Sequence, residues 1–396
     1  MITSTLAQSI WQPESASTVA PTVDWLFYFI LYLSTFFVVL IAGLMVYFAI
    51  RFRRKDPNDM PEGMTHSTAL ELTWTVIPTI ILMFIFVVGF RGYLDMVQPP
   101  SGAYEITVNA QKWSWSFEYP NGAVSSELHV PANTPVILTL TSKDVIHSLY
   151  VPAFRTKKDA VPGRYNKTWF QSVVPDDRFE PSVTIGEGDN AQTFNDVAVY
   201  DIYCAEYCGT QHSKMLTHVV VHKPEDFVKW VKDAGNRLKG LSPVEMGREL
   251  FKQNGCVNCH STDGTPGTCP TLKDVYGHAV QFSNGVPPID KADENYIRES
   301  IVDPNARIVM GYSPGAMSSF ANLPPEQIDA LVAYVRSLSS AYTPEQGLPT
   351  DGEDVLQDQA NPDAPGGMDV GQTPETPAQQ AAEDALQGPE NPQPKH

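Results

Sequence analysis

The chain has 396 residues and a formal net charge of -18 at pH 7, from 45 acidic and 27 basic side chains. This length predicts two or three domains. The basic residues form no long run, which argues against a nucleic-acid partner. The 5 cysteines are too few for a disulfide scaffold. Much of the negative charge lies beyond residue 340, so we expect the folded part to be only moderately acidic.

Two long apolar runs follow a polar lead-in, residues 1–22, which lacks the basic and apolar regions of a signal peptide. Residues 25–50 and 70–90 are each long enough to span a bilayer, which takes roughly 20 apolar residues, and predict two transmembrane helices. The basic residues at 51–55 place the connecting loop in the cytoplasm and both chain ends outside. A buried hairpin of a soluble protein is the alternative interpretation.

Glu71 stands at the start of the second apolar run, within the pattern E-x-x-W-T-x-x-P. An ionisable side chain at a membrane boundary is costly and is often functional. The alternative is an exposed carboxylate that the dipole of the helix favours at its first turn.

Residues 104–222 have the pattern of an all-β domain. Alternating or β-branched runs at 104–108, 136–140 and 219–221 are separated by Pro and Gly turns, which predicts a sandwich or barrel. An aromatic cluster at 111–119, which includes Trp113, fits packing of such a sheet.

A dense set of potential metal ligands follows the β-like run at 197–203. Cys204, Cys208, His212 and Met215 offer two thiolates, an imidazole and a thioether on one short loop. Soft sulfur ligands with imidazole suit copper. A structural zinc site and a disulfide are the alternatives, but zinc prefers four Cys or His ligands and would leave Met215 unused.

A second chemical motif lies in a helical module at 241–340. Cys256, Cys259 and His260 form C-x-x-C-H, the signature of covalent heme c attachment, with a redox-active cysteine pair as the alternative. A methionine is the expected second iron ligand, and Met310 and Met317 are the candidates. Ser242 and Pro243 predict the start of the first helix of this module, and residues 324–327 predict the start of its last.

The loop at 204–215 resembles the dinuclear CuA loop of cytochrome c oxidase subunit II. The resemblance implies a cupredoxin Greek-key barrel in which both thiolates bridge two coppers. His212 and the backbone carbonyl of Glu206 would bind one copper, and Met215 the other. The V-I-H-S-x-x-V-P context of His147 is similar to the family's upstream histidine ligand, which would complete the site.

The same resemblance implies roles beyond copper binding. Glu71 would lie at the mouth of a proton path into subunit I, and the segment 159–164 would face that subunit. The Glu206 side chain would bind a magnesium ion between the subunits, unless it is a solvated carboxylate. Trp113 would be the point at which electrons from an external cytochrome enter, unless a fused heme bypasses it.

The helical module resembles cytochrome c, in which the two cysteines bind the heme vinyl groups and His260 binds the iron. The Pro270 carbonyl would orient the histidine ring. The resemblance favours Met317 as the second iron ligand, because Met310 precedes the Gly-Tyr pair that opens the ligand loop. Cys269 replaces the usual glycine before the proline, and Ser318 replaces the usual proline after the methionine.

Residues 23–340 as a whole resemble subunit II of a caa-type oxidase with a fused cytochrome c. The resemblance implies that electrons pass from cytochrome c or another respiratory donor, through heme c and CuA, to subunit I, where oxygen is reduced and protons are pumped. Subunit III and membrane lipid are further expected partners, in a bacterial plasma membrane with both soluble domains on the outer, periplasmic face. Two alternatives are the subunit at which electrons enter a CuA-containing nitric oxide reductase, and a membrane-anchored electron carrier working alone.

The expected organisation is therefore multidomain. Residues 341–396, which are acidic, have too few aliphatic side chains to fold. That acidic tail is expected to be disordered, with a docking segment for a basic cytochrome as the alternative. The predicted parts are the lead-in at 1–22, the transmembrane hairpin at 23–92, the cupredoxin CuA domain at 93–226, a linker at 227–240, the all-α cytochrome c domain at 241–340 and the tail at 341–396.

Overall fold

The computed structural model describes residues 12–56, 63, 66–186, 191–265 and 267–343. Nearly all of the predicted disordered tail lies outside these residues. Two helices come first in the chain, α1 (Ala20–Arg51) and α2 (Thr68–Val97), with mean hydropathies of 2.5 and 2.3 over their most apolar stretches. Their large apolar side chains are mostly exposed, as expected for surfaces that face lipid rather than a protein core. The two predicted apolar helices are confirmed.

A β domain follows, built from two five-stranded sheets and a two-stranded ribbon. The first sheet has the order β3-β2-β1-β5-β8, the second β4-β12-β11-β6-β7, and β9 and β10 form the ribbon. The strands are β1 (Tyr104–Gln111), β2 (Ser114–Glu118), β3 (Val124–Ser125), β4 (Leu128–Pro131), β5 (Pro135–Ser142), β6 (His147–Val151), β7 (Thr156–Ala160), β8 (Asn166–Gln171), β9 (Val183–Ile185), β10 (Gln192–Phe194), β11 (Val197–Cys204) and β12 (Leu216–His222).

Alternation of apolar side chains explains how the two sheets enclose a core. Along β5 every second residue is buried, and Val136, Leu138 and Leu140 are fully covered. The strands β1 and β5 run parallel, as do β4 and β12, while the other pairings are antiparallel. This mixed arrangement of two facing sheets agrees with the expected cupredoxin-like fold.

Polar contacts join the β domain to the helical hairpin near the start of α1 and the end of α2. Arg155 makes two hydrogen bonds to the Asp24 carboxylate of α1, at 2.7 and 2.9 Å. Trp169 donates its indole N–H to the Asp95 carbonyl of α2 at 3.1 Å. The lead-in also contacts the domain, because Ser17 forms an isolated antiparallel β-bridge with Ser172, the residue directly after β8. The hairpin and the β domain are therefore tied at several points.

The helix α3 (Pro224–Asn236) packs on the β domain. Its Phe227 is fully buried, and its Trp230 ring stacks on the ring of His129 at 3.8 Å between centroids. His129 in turn contacts His222, with 2.8 Å between Nδ1 and Nε2. Only residues 237–242 then separate this helix from the next module.

That module contains the helices α4 (Pro243–Gln253), α5 (Glu294–Val302) and α6 (Pro325–Ser337). The predicted start of α4 is confirmed, because Ser242 and Glu245 form a reciprocal capping box. Gly247 of α4 lies so close to α6 that a Cβ there would overlap the Ala330 carbonyl oxygen. The first and last helices thus cross at a contact that only glycine permits.

Candidate copper and heme sites

Four of the predicted copper ligands come together at one end of the β domain. Cys204 ends β11, and the loop after it returns to β12 through a short turn. The two thiol sulfurs lie 3.8 Å apart, Cys208 Sγ lies 3.5 Å from His212 Nδ1, and the Met215 sulfur is 3.8 Å from Cys208 Sγ. Both cysteines and Met215 are buried. The loop therefore presents a soft ligand set facing one small space.

His147 joins this set from β6, across the sheet. Its Nδ1 lies 3.9 Å from Cys204 Sγ, and its side chain is fully buried. The ligand atoms of His147, Cys204 and Cys208 all lie within 4.8 Å of one another. On its other side the ring bonds the Asp144 carboxylate, with 2.9 Å between Nε2 and Oδ1. A proton held on Nε2 by this carboxylate leaves Nδ1 free to bind a metal.

The ionisation of the two thiols also fits a metal site. Burial opposes ionisation of Cys204, but hydrogen bonds from His147 and neighbouring groups outweigh it and lower its pKa to about 7. Burial and the charge of Cys204 raise the pKa of Cys208. Without metal the pair therefore resists losing both protons, whereas a bound cation would favour the thiolate form of both. Two thiols, two imidazoles and a thioether are a donor set suited to copper.

The backbone carbonyl and the side chain of Glu206 point in different directions. Its backbone carbonyl accepts a hydrogen bond from Cys204 Sγ at 3.2 Å, so this oxygen lies within the ligand cluster. Its side chain is exposed on the surface of the loop. The two predicted roles of Glu206 therefore belong to opposite faces of the loop.

Trp113 is buried beside the ligand loop, with 5% of its surface exposed. Its indole N–H donates to the Cys208 carbonyl at 3.2 Å. Gly209 lies against the same ring with φ of 121°, and a Cβ there would be 3.2 Å from Trp113 Cζ2. The tryptophan is therefore packed against the backbone of the copper loop, with little of its own surface exposed.

The second predicted site is a largely apolar cavity of about 470 Å³ in the helical module. Cys256 and His260 line one part of it, and Phe251, Leu331 and Val335 are among the apolar side chains around it. The Pro270 carbonyl lies 2.7 Å from His260 Nδ1, which directs the other ring nitrogen away from that bond. Burial lowers the pKa of His260, so the ring is neutral, as an iron ligand must be. The cavity and its donor fit heme c.

Both candidate methionines line this cavity, in different surroundings. Met317 is half-buried, whereas 56% of Met310 is exposed. Cys269 is buried in the cavity wall, and its backbone N–H donates to the Cys259 carbonyl at 3.2 Å. The lower exposure of Met317 favours it over Met310 as a ligand.

Glu71 lies in the first turn of α2, with its side chain exposed on the helix surface. It is far from the copper ligands along the chain, and it is at the opposite end of α2 from the β domain contact at Asp95. Its exposure allows both the proton-path role and the simple helix-start role.

Comparison with known proteins identifies all three parts of the chain. Residues 5–91 match the transmembrane domain of cytochrome c oxidase subunit II, 122–179 match its periplasmic domain, and 244–339 match cytochrome c. A cytochrome c oxidase subunit 2 from Alkalihalophilus pseudofirmus is 28% identical over 80% of this chain and 88% of the relative. One from Thermostichus vulcanus is 31% identical over 59% of this chain and 80% of the relative.

This chain belongs to the cytochrome c oxidase subunit II family. It is a membrane-anchored subunit of a heme-copper oxidase, an oxidoreductase, and it carries a fused cytochrome c domain. Membership implies copper in the β domain, heme c in the helical domain and association with subunit I. Among solved structures, the periplasmic domain of subunit II from Bradyrhizobium japonicum aligns at 25% identity over 35% of this chain and 99% of that chain, with a TM-score of 0.29.

The match to the periplasmic domain ends at residue 179, before the cysteine loop. His147 lies within that match, whereas the ligands on the loop at 204–215 are supported by their geometry and not by the match. Sequence reasoning missed the role of Asp144, which bonds the His147 ring. Its position three residues before the histidine was a possible signal, since a carboxylate often orients a metal-binding imidazole.

Proposed function

We propose that this subunit receives electrons from cytochrome c or another respiratory donor and delivers them to subunit I. When bound, heme c and the dinuclear copper supply one-electron redox chemistry in series, ahead of oxygen reduction and proton pumping in subunit I. The single observation that carries the proposal is the convergence of Cys204, Cys208, His147, His212 and Met215 around one space.

The positions of the atoms support the ligand roles that the resemblance implies. Cys204 and Cys208 would bridge the two coppers, because each sulfur faces a different histidine and both sulfurs face each other. Met215 and the Glu206 carbonyl would supply the weak ligands, since each contacts one of the thiols. In the helical domain Cys256 and Cys259 would hold the heme, with His260 and Met317 on its iron.

The exposed surface of the copper loop supports a contact with subunit I. Tyr207 is 75% exposed, and Tyr203 and Leu216, which pair directly between β11 and β12, are also exposed. Large apolar side chains at the surface mark a protein interface. The Glu206 carboxylate lies on the same loop, where it would bind magnesium between the subunits.

The membrane part supports the remaining roles. The basic residues at 51–55 favour a cytoplasmic loop, and both soluble domains would then lie on the outer face of a bacterial plasma membrane. Glu71 would then lie at the cytoplasmic side, where protons for subunit I are taken up. Subunit III and membrane lipid would cover further apolar surface of α1 and α2.

The decisive experiment is Cys208→Ser in the intact oxidase. Because Cys208 would bridge both coppers, its loss should abolish the copper–thiolate absorption, whereas the heme domain has separate ligands and should remain reducible. Oxygen consumption should fall close to zero, and rapid mixing with the donor should show reduction of heme c without reduction of subunit I.

Ser213→Ala is the matched control, because Ser213 is an exposed residue of the same loop. It should retain the copper absorption and normal turnover. Reduction of subunit I at the normal rate in Cys208→Ser would show that electrons do not pass through this loop, and would overturn the proposal.

A further inference from the structure

The cytochrome c domain lies against the end of the β domain that holds the copper ligands. Gly255, just before the first heme cysteine, has φ of 70°, and a Cβ there would overlap the Ser114 side chain. Lys112 Nζ donates to the Gly315 carbonyl at 3.3 Å. Cys259 and Ala316 pack against the buried cluster of the β domain. The two predicted sites therefore face each other across an interface within this one chain.

One carboxylate links the two sides of this interface. Asp144 is 16% exposed, and its Oδ1 bonds His147 Nε2 at 2.9 Å. Its Oδ2 accepts one hydrogen bond from the Ser318 hydroxyl and one from the Lys112 backbone N–H, each at 2.7 Å. Ser318 directly follows Met317. A candidate copper ligand and the residue beside a candidate iron ligand thus share one side chain.

The hydrogen bonds to Asp144 from Ser318 and from the Lys112 N–H are short. A 2.7 Å bond from the Ser318 hydroxyl to a carboxylate is charge-assisted and stronger than a bond between neutral groups. Such a bond, largely shielded from water, is screened little by salt.

The neighbouring serine shows that the Ser318 contact is specific to the interface. Ser319 donates its hydroxyl to the Val302 carbonyl at 2.5 Å, a bond within the cytochrome c domain. Ser318 donates instead to the β domain. A proline at position 318, as the resemblance to cytochrome c leads one to expect, would have no hydroxyl to make this link.

We propose that Asp144 and Ser318 are positioning residues that join the two domains: Asp144 orients the His147 ring with one oxygen and holds the Met317–Ser318 loop with the other. The inference rests on the proposed function in taking His147 and Met317 as ligands. It attributes docking of the cytochrome c domain on the β domain to the hydrogen bond between Ser318 and Asp144. Docking and the orientation of His147 then both depend on the Asp144 carboxylate.

The test compares Ser318→Ala, Ser318→Thr and Ser319→Ala in the complete oxidase. A light pulse excites a ruthenium dye in solution, which gives one electron to the ferric heme c. The electron then leaves the ferrous heme and reduces the oxidised copper pair, and the absorbance of both centres is followed. Docked molecules give a fast phase and undocked molecules a slow phase. Loss of one hydrogen bond to a carboxylate should lower the ratio of docked to undocked molecules by on the order of tenfold.

We expect Ser318→Ala to shift amplitude from the fast to the slow phase, Ser318→Thr to restore it, and Ser319→Ala to behave as the parent protein. The heme and copper spectra should be unchanged in all three, which separates positioning from damage to a site. An unchanged amplitude of the fast phase in Ser318→Ala would overturn the proposal. An equal loss of fast-phase amplitude in Ser319→Ala would do the same.

A readout independent of the cofactors is hydrogen exchange at residues 112–116 and 255–260. Ser318→Ala should speed exchange on both sides of the interface, because water reaches both segments more readily when the domains separate, and Ser319→Ala should not. Failure of the proposed function would appear differently, as a parent oxidase without copper–thiolate absorption. The exchange result would still decide whether Ser318 holds the domains together.

Discussion

At the heme cavity, Met310 and Met317 line the same space but differ in exposure. We predict that Met317→Ala leaves heme c covalently attached, because Cys256 and Cys259 remain. It should weaken the low-spin spectrum and lower the reduction potential, since a methionine ligand raises the potential. Optical spectra and a redox titration of the oxidase measure both effects.

Met310→Ala is the matched control, and it should change neither the spectrum nor the potential. The reverse result, with the changes in Met310→Ala and none in Met317→Ala, would transfer the ligand role to Met310. The two methionines are seven positions apart on one loop, so sequence spacing alone could not choose between them.

The residues of the copper loop could be predicted because the ligands lie close together in sequence, and their types limit the metal. His147 needed the context around it, since it is far from the loop along the chain. The bond from Ser318 to Asp144 could not be predicted, because it depends on how two separate domains are placed. The His129–His222 contact likewise depends on the pairing of β4 with β12.

Among the secondary structure elements, α4 and α6 approach each other closely at Gly247. Gly247→Ala would place a methyl group against the Ala330 carbonyl, which belongs to helix backbone and cannot rotate away. We predict a loss of about 1–3 kcal/mol in the free energy of unfolding of the cytochrome c domain. Thermal unfolding followed at the heme measures it, and Arg248→Ala, at an exposed position of the same helix, should have little effect. Equal losses in both variants would contradict the packing argument.

The helix α3 depends on a pair of neutral histidines. Burial lowers the pKa of His222 to about 4, and burial together with the charge of His222 lowers that of His129 well below its usual value. The unfolded chain binds more protons than the folded chain between pH 6.5 and 4, so stability should decrease as the pH falls through this window. For His222 the loss is on the order of 3 kcal/mol at the lower end.

Unfolding of the β domain at several pH values tests this dependence. His222→Gln should reduce the loss of stability at low pH, because the group that resists protonation is gone. His218→Gln is the control, since His218 lies on the same strand but is partly exposed, 3.8 Å from Asp201. An unchanged pH dependence in His222→Gln would show that other groups cause it.

Most elements could be predicted from local patterns, and the reasons are physical. The apolar runs of α1 and α2, the alternation in β5 and the capping box of α4 all act within a few residues. The parallel pairing of β1 with β5 and of β4 with β12 could not be predicted in this way. Such pairings are set by the closure of two sheets around a common core.

For the whole molecule, the distribution of charge predicts the orientation in the membrane. The basic residues at 51–55 should keep the loop between α1 and α2 in the cytoplasm. A cysteine introduced as Asp56→Cys should then resist an impermeant thiol reagent in intact cells and react after the membrane is opened. A cysteine introduced as Ser101→Cys, just after α2, should react in intact cells. Labelling of Asp56→Cys from outside would reverse the topology.

The short connection at 237–242 affects how readily a soluble cytochrome can compete with the tethered domain for the same surface of the β domain. A partner held on a short connection within the same chain acts at a high effective concentration. The tethered cytochrome c domain can therefore occupy its place on the β domain even if the same contact between free proteins would be weak. A soluble cytochrome at lower concentration would have to displace it to reach the same surface of the β domain.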